Sequence, residues 1–217
     1  MPAKSENGAN SHGNGRMALR VLGVDPAVAG ATGYGVVELD SGGAGARMLR
    51  LGHLRFPARA SFSARLREIH RMIAELVEEF APDAVAVESV FTSLNMRTAL
   101  KLAEVRGVIL LAAAQADIPA HSYSPREVKA SISGFGGASK QQMQQMVKAQ
   151  LGLRQQPEPA DAADALAVAL CHAHAAQAAE RFARSAALDS TGGRANGTSR
   201  TRASSRSHAA FARILNQ

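Results

Sequence analysis

The stretch LRVLGVD at residues 19–25 is a short apolar run that ends in a carboxylate, Asp25. Its length and composition are typical of a buried strand. A second run of the same kind, AVAVE at residues 84–88, ends in Glu88. A carboxylate at the tip of a buried strand costs free energy unless another group pairs with it. The two stretches therefore predict a buried sheet with a polar site at its edge.

A third acidic position lies at the start of an alanine-rich segment, where Asp161 and Asp164 stand three residues apart. This spacing puts both on one face of a helix. They fall in its first turn, where the helix dipole favours negative charge. The alanines around them keep the helix thin, so it can pack closely on a sheet. If strands 19–25 and 84–88 are parallel neighbours, all four acids meet at the carboxyl edge, where ligand sites of open α/β sheets lie.

Converging acids repel one another and raise one another's pKa. Hard divalent cations relieve this repulsion because they take oxygen ligands, and pairs of them cleave phosphodiesters. A metal-dependent nuclease is therefore the leading interpretation. Each acid also has an ordinary structural alternative: Asp25 before Pro26 could open a turn, and Asp161 could be an N-terminal helix acid. Only the joint pattern favours a metal site.

The apolar patterns of the rest of the chain predict an α/β fold. We expect a mixed five-stranded sheet, an antiparallel meander followed by parallel strands, with helices on its faces. A turn at residues 41–43 separates two of the strands, and Ser124 with Glu127 forms a capping box at a helix start. The further predicted strands are 33–39, 47–56 and 119–123, and the predicted helices are 63–80, 95–116, 125–133, 139–151 and 160–179.

The composition divides the chain into a nuclease domain at residues 18–180 and two disordered extensions, residues 1–17 and a basic tail at 181–217. Residues 180–217 hold seven arginines against two acids, so most of the net charge of +7 belongs to the tail. Residues 126–154 hold five basic residues and one acid, which fits phosphate contact or an ordinary solvated helix face.

We expect Met17, directly before the first strand, to be the native start.

The cysteine and hydropathy patterns exclude several classes of protein. The single cysteine, Cys171, excludes a disulfide framework and a cysteine zinc cluster, and it fits a cytoplasmic location. The longest uncharged apolar run, residues 107–116, is far below the roughly 20 residues of a membrane helix. We expect Cys171, His172 and His174 to have no catalytic role.

Five segments in the same order and spacing resemble one known family: VLGVDP with TGYGVVE, PDAVAVESVF, ALKL with VRGV, PREVKASISGFGGASK and DAADALAVAL. Over residues 18–176 the chain resembles the RuvC family of Holliday junction resolvases, which have an RNase H-like fold. The resemblance implies an Mg²⁺-dependent endonuclease of DNA recombination and repair. It also implies a homodimer that makes paired symmetric nicks in four-way junctions and works with a branch-migration complex.

The resemblance assigns catalysis and metal binding to Asp25, Glu88, Asp161 and Asp164. It implies two Mg²⁺ ions per subunit, with Mn²⁺ as a substitute. Asp25 is the best candidate to bridge both ions, while Glu88 would hold one ion and Asp164 the other. Asp161 would act directly or through water.

The family's DNA-contacting positions match Phe91, Lys129 and Lys140. Phe91 lies in the loop after strand 84–88 and would wedge into an unstacked base step. Without the resemblance, Phe91 would be an ordinary core aromatic and both lysines ordinary surface residues. The long helix 95–116 carries more apolar residues than one sheet face needs, which makes it the expected dimer contact.

One departure from the family lies beside Asp25, where the first hairpin is one residue longer and its glycine is displaced to Gly30. A junction-binding protein without catalysis and another RNase H-like nuclease therefore stay as alternatives. An actin-like sugar kinase or ATPase is a further alternative, because GVDP with TGYG resembles the phosphate-binding hairpin of that superfamily. That class needs a second lobe, for which roughly 160 folded residues leave no room.

Overall fold

The computed structural model describes residues 18–28, 30–40, 45–89 and 95–192, with side chains described up to residue 187. The predicted turn at 41–43 and the segments 1–17 and 193–217 lie outside the described residues. The strands are β1 (Leu19–Asp25), β2 (Thr32–Leu39), β3 (Ala46–Leu54), β4 (Ala84–Glu88) and β5 (Ala120–Tyr123). The helices are α1 (Phe62–Phe80), α2 (Met96–Gln115), α3 (Pro125–Ser133), α4 (Lys140–Gln150) and α5 (Ala160–Gly192).

The five strands form one mixed sheet in the order β3-β2-β1-β4-β5. Short connections join β1, β2 and β3, and these strands pair antiparallel. Helices α1 and α2 provide the long crossovers that parallel pairing requires, so β1 pairs parallel with β4 and β4 with β5. The predicted fold class and the predicted parallel adjacency of the two acid-tipped strands are confirmed.

Alternate residues of each strand point to opposite faces of the sheet, which gives two separate cores. On one face, Val21 of β1 and Ala86 of β4 pack with α3, α4 and α5. On the other face, Leu22 packs with α1 and α2. By the same alternation, Asp25 and Glu88 share a face with Val21 and Ala86, so both carboxylates lie on the side of α5.

Glycines in the sheet allow α5 to pack directly on the strand backbones. A Cβ atom at Gly33 would lie 1.9 Å from the carbonyl oxygen of Asp161, and one at Gly23 would lie 2.1 Å from that of Ala165. The predicted close packing of a thin helix is therefore confirmed. Because the contact of Gly33 is with Asp161 itself, it brings the acidic first turn of α5 to the carboxyl end of β1.

The last helix is longer than predicted. The predicted end at Ala179 is wrong, because α5 continues to Gly192 and passes through the domain boundary expected at residue 180. Residues 178–187 are exposed. Helix-forming residues and the Glu180–Arg184 ion pair of 3.0 Å stabilise this extension without tertiary burial. None of the described helices combines the length and the hydropathy that a membrane crossing requires.

Candidate active site

Two acids stand side by side at the carboxyl edge of the sheet. Asp25 is the last residue of β1, and Glu88 is the last residue of the neighbouring parallel strand β4. The pKa of Asp25 is raised to about 8, and burial is the largest cause. The charge of Glu88 and a hydrogen bond with Glu88 raise this pKa further, and the charges of Asp164 and Asp161 add to the effect. The pair therefore retains one proton near neutral pH, which the hydrogen bond between Asp25 and Glu88 holds.

Glu88 has an environment of mixed charge. Burial raises the pKa of its carboxyl group, and the charge of Asp164 raises it further. The hydrogen bond from Asp25 and the charges of Lys129 and Lys140 act in the opposite direction, but the net shift is upward. A pair of carboxyl groups that share one proton is a typical response to like charges in a partly buried site.

The two acids of α5 complete the acidic cluster. Asp164 accepts a hydrogen bond from Lys140 Nζ at 2.8 Å. This contact raises the pKa of Lys140, and the charges of Asp164, Asp161 and Asp25 contribute as well. Asp161 acts on Asp25 and Lys140 through its charge, so all four predicted acids belong to one electrostatic unit.

A cleft of about 210 Å³ opens beside these acids. Its polar lining consists of two acids, Glu88 and Asp164, and two lysines, Lys129 and Lys140, which form its basic wall. The apolar part of the wall is formed by Pro125, Val128, Met143 and Ala167. The cleft thus combines carboxylates that suit a cation with ammonium groups that suit a phosphate.

Two capped helix starts position the basic wall. A capping box between Ser124 and Glu127 fixes the start of α3, which carries Lys129. A second capping box, between Ser139 and Gln142, fixes the start of α4 at Lys140. Because capping satisfies the free amides of the first turn, both lysines stand on well-defined backbone next to the carboxyl edge of the sheet.

The first hairpin is fixed on the side away from α5. Arg65 Nη1 of α1 donates to the carbonyl oxygen of Val28 at 3.2 Å, and the backbone N–H of Ala27 donates to Thr32 Oγ1 at 3.4 Å. The described part of the lengthened loop is therefore anchored to α1 and to the start of β2. Asp25 keeps its register opposite Gly33.

The donor set fits a hard divalent cation, because all four acids offer carboxylate oxygens and their mutual repulsion is strong enough to retain a proton near pH 7. In the part of the chain that the structure describes, no three Asp, Glu, His or Cys side chains already form a group that could hold a metal ion. Binding an ion therefore requires that the Asp25–Glu88 hydrogen bond and the Lys140–Asp164 ion pair rearrange.

The structure brings together six of the seven side chains predicted from the sequence. The predicted residue that falls outside the described residues is Phe91. Sequence reasoning missed the apolar wall of the cleft, although the amphipathic spacing of α3 and α4 could have indicated it. His172 is buried and bonded through Nδ1 to the Tyr123 hydroxyl at 2.8 Å, away from the acids, as expected for a structural residue.

Comparisons with known proteins agree with this geometry. The model of the family "Crossover junction endodeoxyribonuclease RuvC" matches residues 21–172. A curated relative of that name from Chloroflexus aurantiacus is 45% identical over 164 residues, which are 76% of this chain and 98% of the relative. Another, from Moorella thermoacetica, is 47% identical over 155 residues, which are 71% of this chain and 91% of the relative.

Solved structures give the same result. The RuvC structure from Thermus thermophilus matches with a TM-score of 0.69 and 36% identity, over 74% of this chain and 97% of that one. The T. thermophilus RuvC in complex with a Holliday junction substrate matches with a TM-score of 0.66 and 33% identity, over 73% and 95%. A yeast mitochondrial Holliday junction resolvase, at 16% identity and a TM-score of 0.51, shares the fold. With most of its folded part matched, the chain belongs to the crossover junction endodeoxyribonuclease RuvC family.

Proposed function

We propose that this chain resolves four-way DNA junctions by metal-dependent phosphodiester hydrolysis at the carboxyl edge of its sheet. The chain belongs to an endonuclease family, and this membership excludes the alternative of an actin-like sugar kinase or ATPase. The observation that carries the site assignment is the convergence of Asp25, Glu88, Asp161 and Asp164 beside a basic wall.

Mg²⁺ is the proposed cofactor, with two ions per subunit and with Mn²⁺ as a substitute. When bound, such a pair supplies an activated water and stabilises the charge that develops on the phosphate and the leaving oxygen. Asp25 is proposed to contact both ions because the charges of Glu88, Asp164 and Asp161 all act on its carboxyl group. Glu88 and Asp164 would each hold one ion, with Asp161 direct or through water.

The protein's own groups prepare the site for the substrate. Asp25 gives up its proton before it can act as a ligand, since only the carboxylate binds a cation well. Asp164 would hold the cation in place of its contact with Lys140, and the Lys140 ammonium would then be free for a DNA phosphate. Lys129 lies on the same wall and is proposed as a second phosphate contact.

Phe91 remains the proposed wedge at the junction's exchange point, by family position alone. Its place directly after β4 puts it within a few residues of Glu88 along the chain. An aromatic group there could occupy an unstacked base step while the neighbouring phosphate lies at the acids.

A homodimer through α2 is proposed, and an exposed apolar stripe supports it. Met96 is 75% exposed, Leu100 59% and Leu111 52%. Together with Gly107 these residues follow one another at spacings of four, seven and four residues, which places them on one helix face. At Gly107 a Cβ atom would have no neighbour within 4 Å among the residues that the structure describes. A flat stripe with a glycine at its centre suits close approach of a second α2.

The proposed cellular role is DNA recombination and repair in the cytoplasm, next to a branch-migration complex. These three assignments follow from the family and from no single contact in the structure. The expected disorder of residues 181–192 is wrong, because they continue α5. Only the tail from residue 193 onward, which lies outside the described residues, stays proposed as a disordered extension.

Strand cleavage of a mobile four-way junction, beside linear duplex, tests the proposed function in Mg²⁺ and in EDTA. We expect paired, symmetric nicks in the junction only, and only with Mg²⁺. Asp25→Asn should abolish cleavage while junction binding survives. Cleavage by purified Asp25→Asn at the wild-type rate would refute the metal role. Tight junction binding by the wild type without nicks would instead favour the non-catalytic binder.

A further inference from the structure

The loop between α3 and α4, residues 134–139, presents an aromatic side chain to solvent. Phe135 is 68% exposed, although it belongs to a residue type that is usually buried. A single exposed apolar residue is common and has no meaning by itself. Three further observations distinguish this ring: its backbone is fixed, its loop packs beside the start of α3 and leads to Lys140, and the segment around it is basic.

The backbone around Phe135 is held in one conformation. Gly134 ends α3 in the left-handed region, with φ of 75°. The backbone N–H of Phe135 donates to Ser133 Oγ at 3.4 Å, and the backbone N–H of Ala138 donates to the carbonyl oxygen of Phe135 at 3.2 Å. The ring lies against Gly137, where a Cβ atom would be 2.6 Å from it. The ring is thus positioned by its own loop without being buried.

The loop folds back to the catalytic edge of the sheet. Gly136 packs on Arg126, since a Cβ atom at this glycine would lie 2.9 Å from Arg126 Cγ. Arg126 belongs to the first turn of α3, which begins directly after the carboxyl end of β5. The other end of the loop leads to Lys140, whose ammonium lies 2.8 Å from Asp164. Phe135 therefore belongs to a loop that packs beside Arg126 and leads to Lys140, a residue that lines the cleft.

The charges near the ring suit a polyanion. Arg126, Lys129 and Lys140 are basic, and the acid in this segment, Glu127, is used to cap α3, where it accepts from the backbone N–H of Ser124 at 2.7 Å. Cationic groups interleaved with an exposed aromatic ring are the usual elements of a surface that binds nucleic acid.

We propose that Phe135 packs on a nucleotide of the DNA strand that enters the cleft, while Arg126 contacts a flanking phosphate. The contact rests on the proposed function and adds to it a positioning role for the α3–α4 loop. The ring would hold the nucleotide next to the cleaved phosphate, whereas Lys129 and Lys140 hold the phosphate itself.

Affinity for a fluorescently labelled four-way junction, measured in EDTA at several salt concentrations, tests this contact. Phe135→Ala should bind on the order of tenfold more weakly, because aromatic contacts to bases are worth about that much. Its salt dependence should match the wild type, since no charge is lost. Arg126→Ala should reduce the salt slope by about one.

The matched control is Phe182→Ala. Phe182 is 76% exposed on the solvent-exposed part of α5, so the chemical change is the same at the other end of the molecule. We expect wild-type affinity for this variant and wild-type thermal stability for both variants. Phe135→Trp should keep the affinity and Phe135→Leu should not. Wild-type affinity of Phe135→Ala, or full retention by Phe135→Leu, would overturn the proposal.

The same experiment separates this proposal from the function on which it rests. If the wild type cleaves junctions and Phe135→Ala binds equally well, the contact is wrong and the function stands. If junction binding depends on Phe135 but Mg²⁺ produces no nicks, the contact stands and the nuclease function fails. Absence of any DNA binding by the wild type would overturn both.

Discussion

At the scale of single residues, the chain contains two kinds of buried acid that differ in their partners. Glu38 accepts a hydrogen bond from Arg20 at 2.6 Å and others from Arg47, and these contacts lower the pKa of its carboxyl group. Asp25 and Glu88 form a hydrogen bond with each other and not with an arginine, and the pKa of each carboxyl group is raised. An acid paired with arginine is satisfied and structural, whereas acids paired with acids are left able to take a cation.

The raised pKa of Asp25 predicts how stability depends on pH. The folded chain keeps this proton up to about pH 8, whereas the unfolded chain loses it near the ordinary value of 3.8. The folded state therefore binds more protons over this range, and its free energy of unfolding falls as the pH rises from about 4 to about 8. In Asp25→Asn the amide has no proton to lose, so this part of the decrease disappears.

We accordingly expect Asp25→Asn to be more stable than the wild type at pH 8 in EDTA, by about 1 kcal/mol or more. For a chain of this size the Tm rises by roughly 2–4 °C for each kcal/mol. Thermal unfolding from pH 5 to pH 9 measures the effect. Asp117→Asn is the control, because Asp117 is exposed and lies at a positive φ that Asn also accepts. An unchanged or lower Tm in Asp25→Asn would contradict the repulsion inferred for the site.

Much of this residue-scale description could be predicted from the sequence. Asp25 and Glu88 stood out because each ends a short apolar run, a position where a carboxylate is costly. The contact between Lys140 and Asp164 could not be predicted, because it joins residues 24 positions apart on two helices. The shared proton could not be predicted either, since it depends on the distance between two side chains.

At the scale of elements, the site depends on how closely α5 approaches the sheet. The glycines of β1 and β2 leave room for the helix backbone, and the alanines of α5 match them. Asp161 and Asp164 reach Asp25 only because no side chain separates the helix from the strands. These glycines and alanines carry no functional group, but their small size determines where the acids lie.

This packing makes Gly33 a sensitive position. In Gly33→Ala the added methyl group would lie 1.9 Å from the Asp161 carbonyl oxygen, so the first turn of α5 has to move away. Overpacking of this kind costs about 1–3 kcal/mol. We expect a lower Tm in thermal unfolding and a larger loss of cleavage rate than of junction affinity, because the helix carries the acids.

Gly30→Ala provides the control for Gly33→Ala. It makes the same change three residues earlier, in the β1–β2 connection, but the nearest atom that the structure describes would be 4.0 Å from the new Cβ. Its stability and cleavage should match the wild type. Equal effects of the two substitutions would show that the connection as a whole, and not the contact with α5, is sensitive.

The ends of elements were predicted well where the sequence carries a chemical signal. Ser124 with Glu127 and Ser139 with Gln142 form the capping boxes that begin α3 and α4. The end of α5 carries no such signal before Thr191 and Gly192. The apolar periodicity is lost near Ala179, and this loss alone predicts an end that is too early. A helix whose outer residues are alanine, arginine and glutamate can continue without burial.

At the scale of the whole molecule, paired nicks in opposing strands require two acidic sites in one assembly. The element order was predicted from the sequence, but the surface available to a second subunit depends on which α2 residues the sheet covers. Val105 and Ile109, two of the apolar residues of α2, are buried against the sheet and α1, whereas Leu100 and Leu111 remain exposed. The structure thus shows that only part of the apolar excess of α2 is exposed, and that this part forms the stripe proposed as the dimer contact.

The proposed dimer predicts the effect of Gly107→Arg. This change places a long charged side chain at the centre of the stripe, where the second α2 would pack, and it leaves the monomer unstrained because the position is open. We expect the wild type to sediment as a dimer and Gly107→Arg as a monomer with an unchanged Tm. Ala74→Arg, an equally large change at an exposed position of α1, should remain a dimer.

Loss of the dimer should also change the products of cleavage. On a supercoiled plasmid with an extruded four-way junction, two coupled nicks give a linear molecule, whereas a single nick relaxes the plasmid and removes the junction. Wild type and Ala74→Arg should therefore give linear product, and Gly107→Arg mainly nicked circles. A Gly107→Arg protein that sediments as a dimer and yields linear product would show that the subunits meet elsewhere. A wild type that stays monomeric on the junction would remove the dimer from the mechanism, and coupled cleavage would then require two independent encounters.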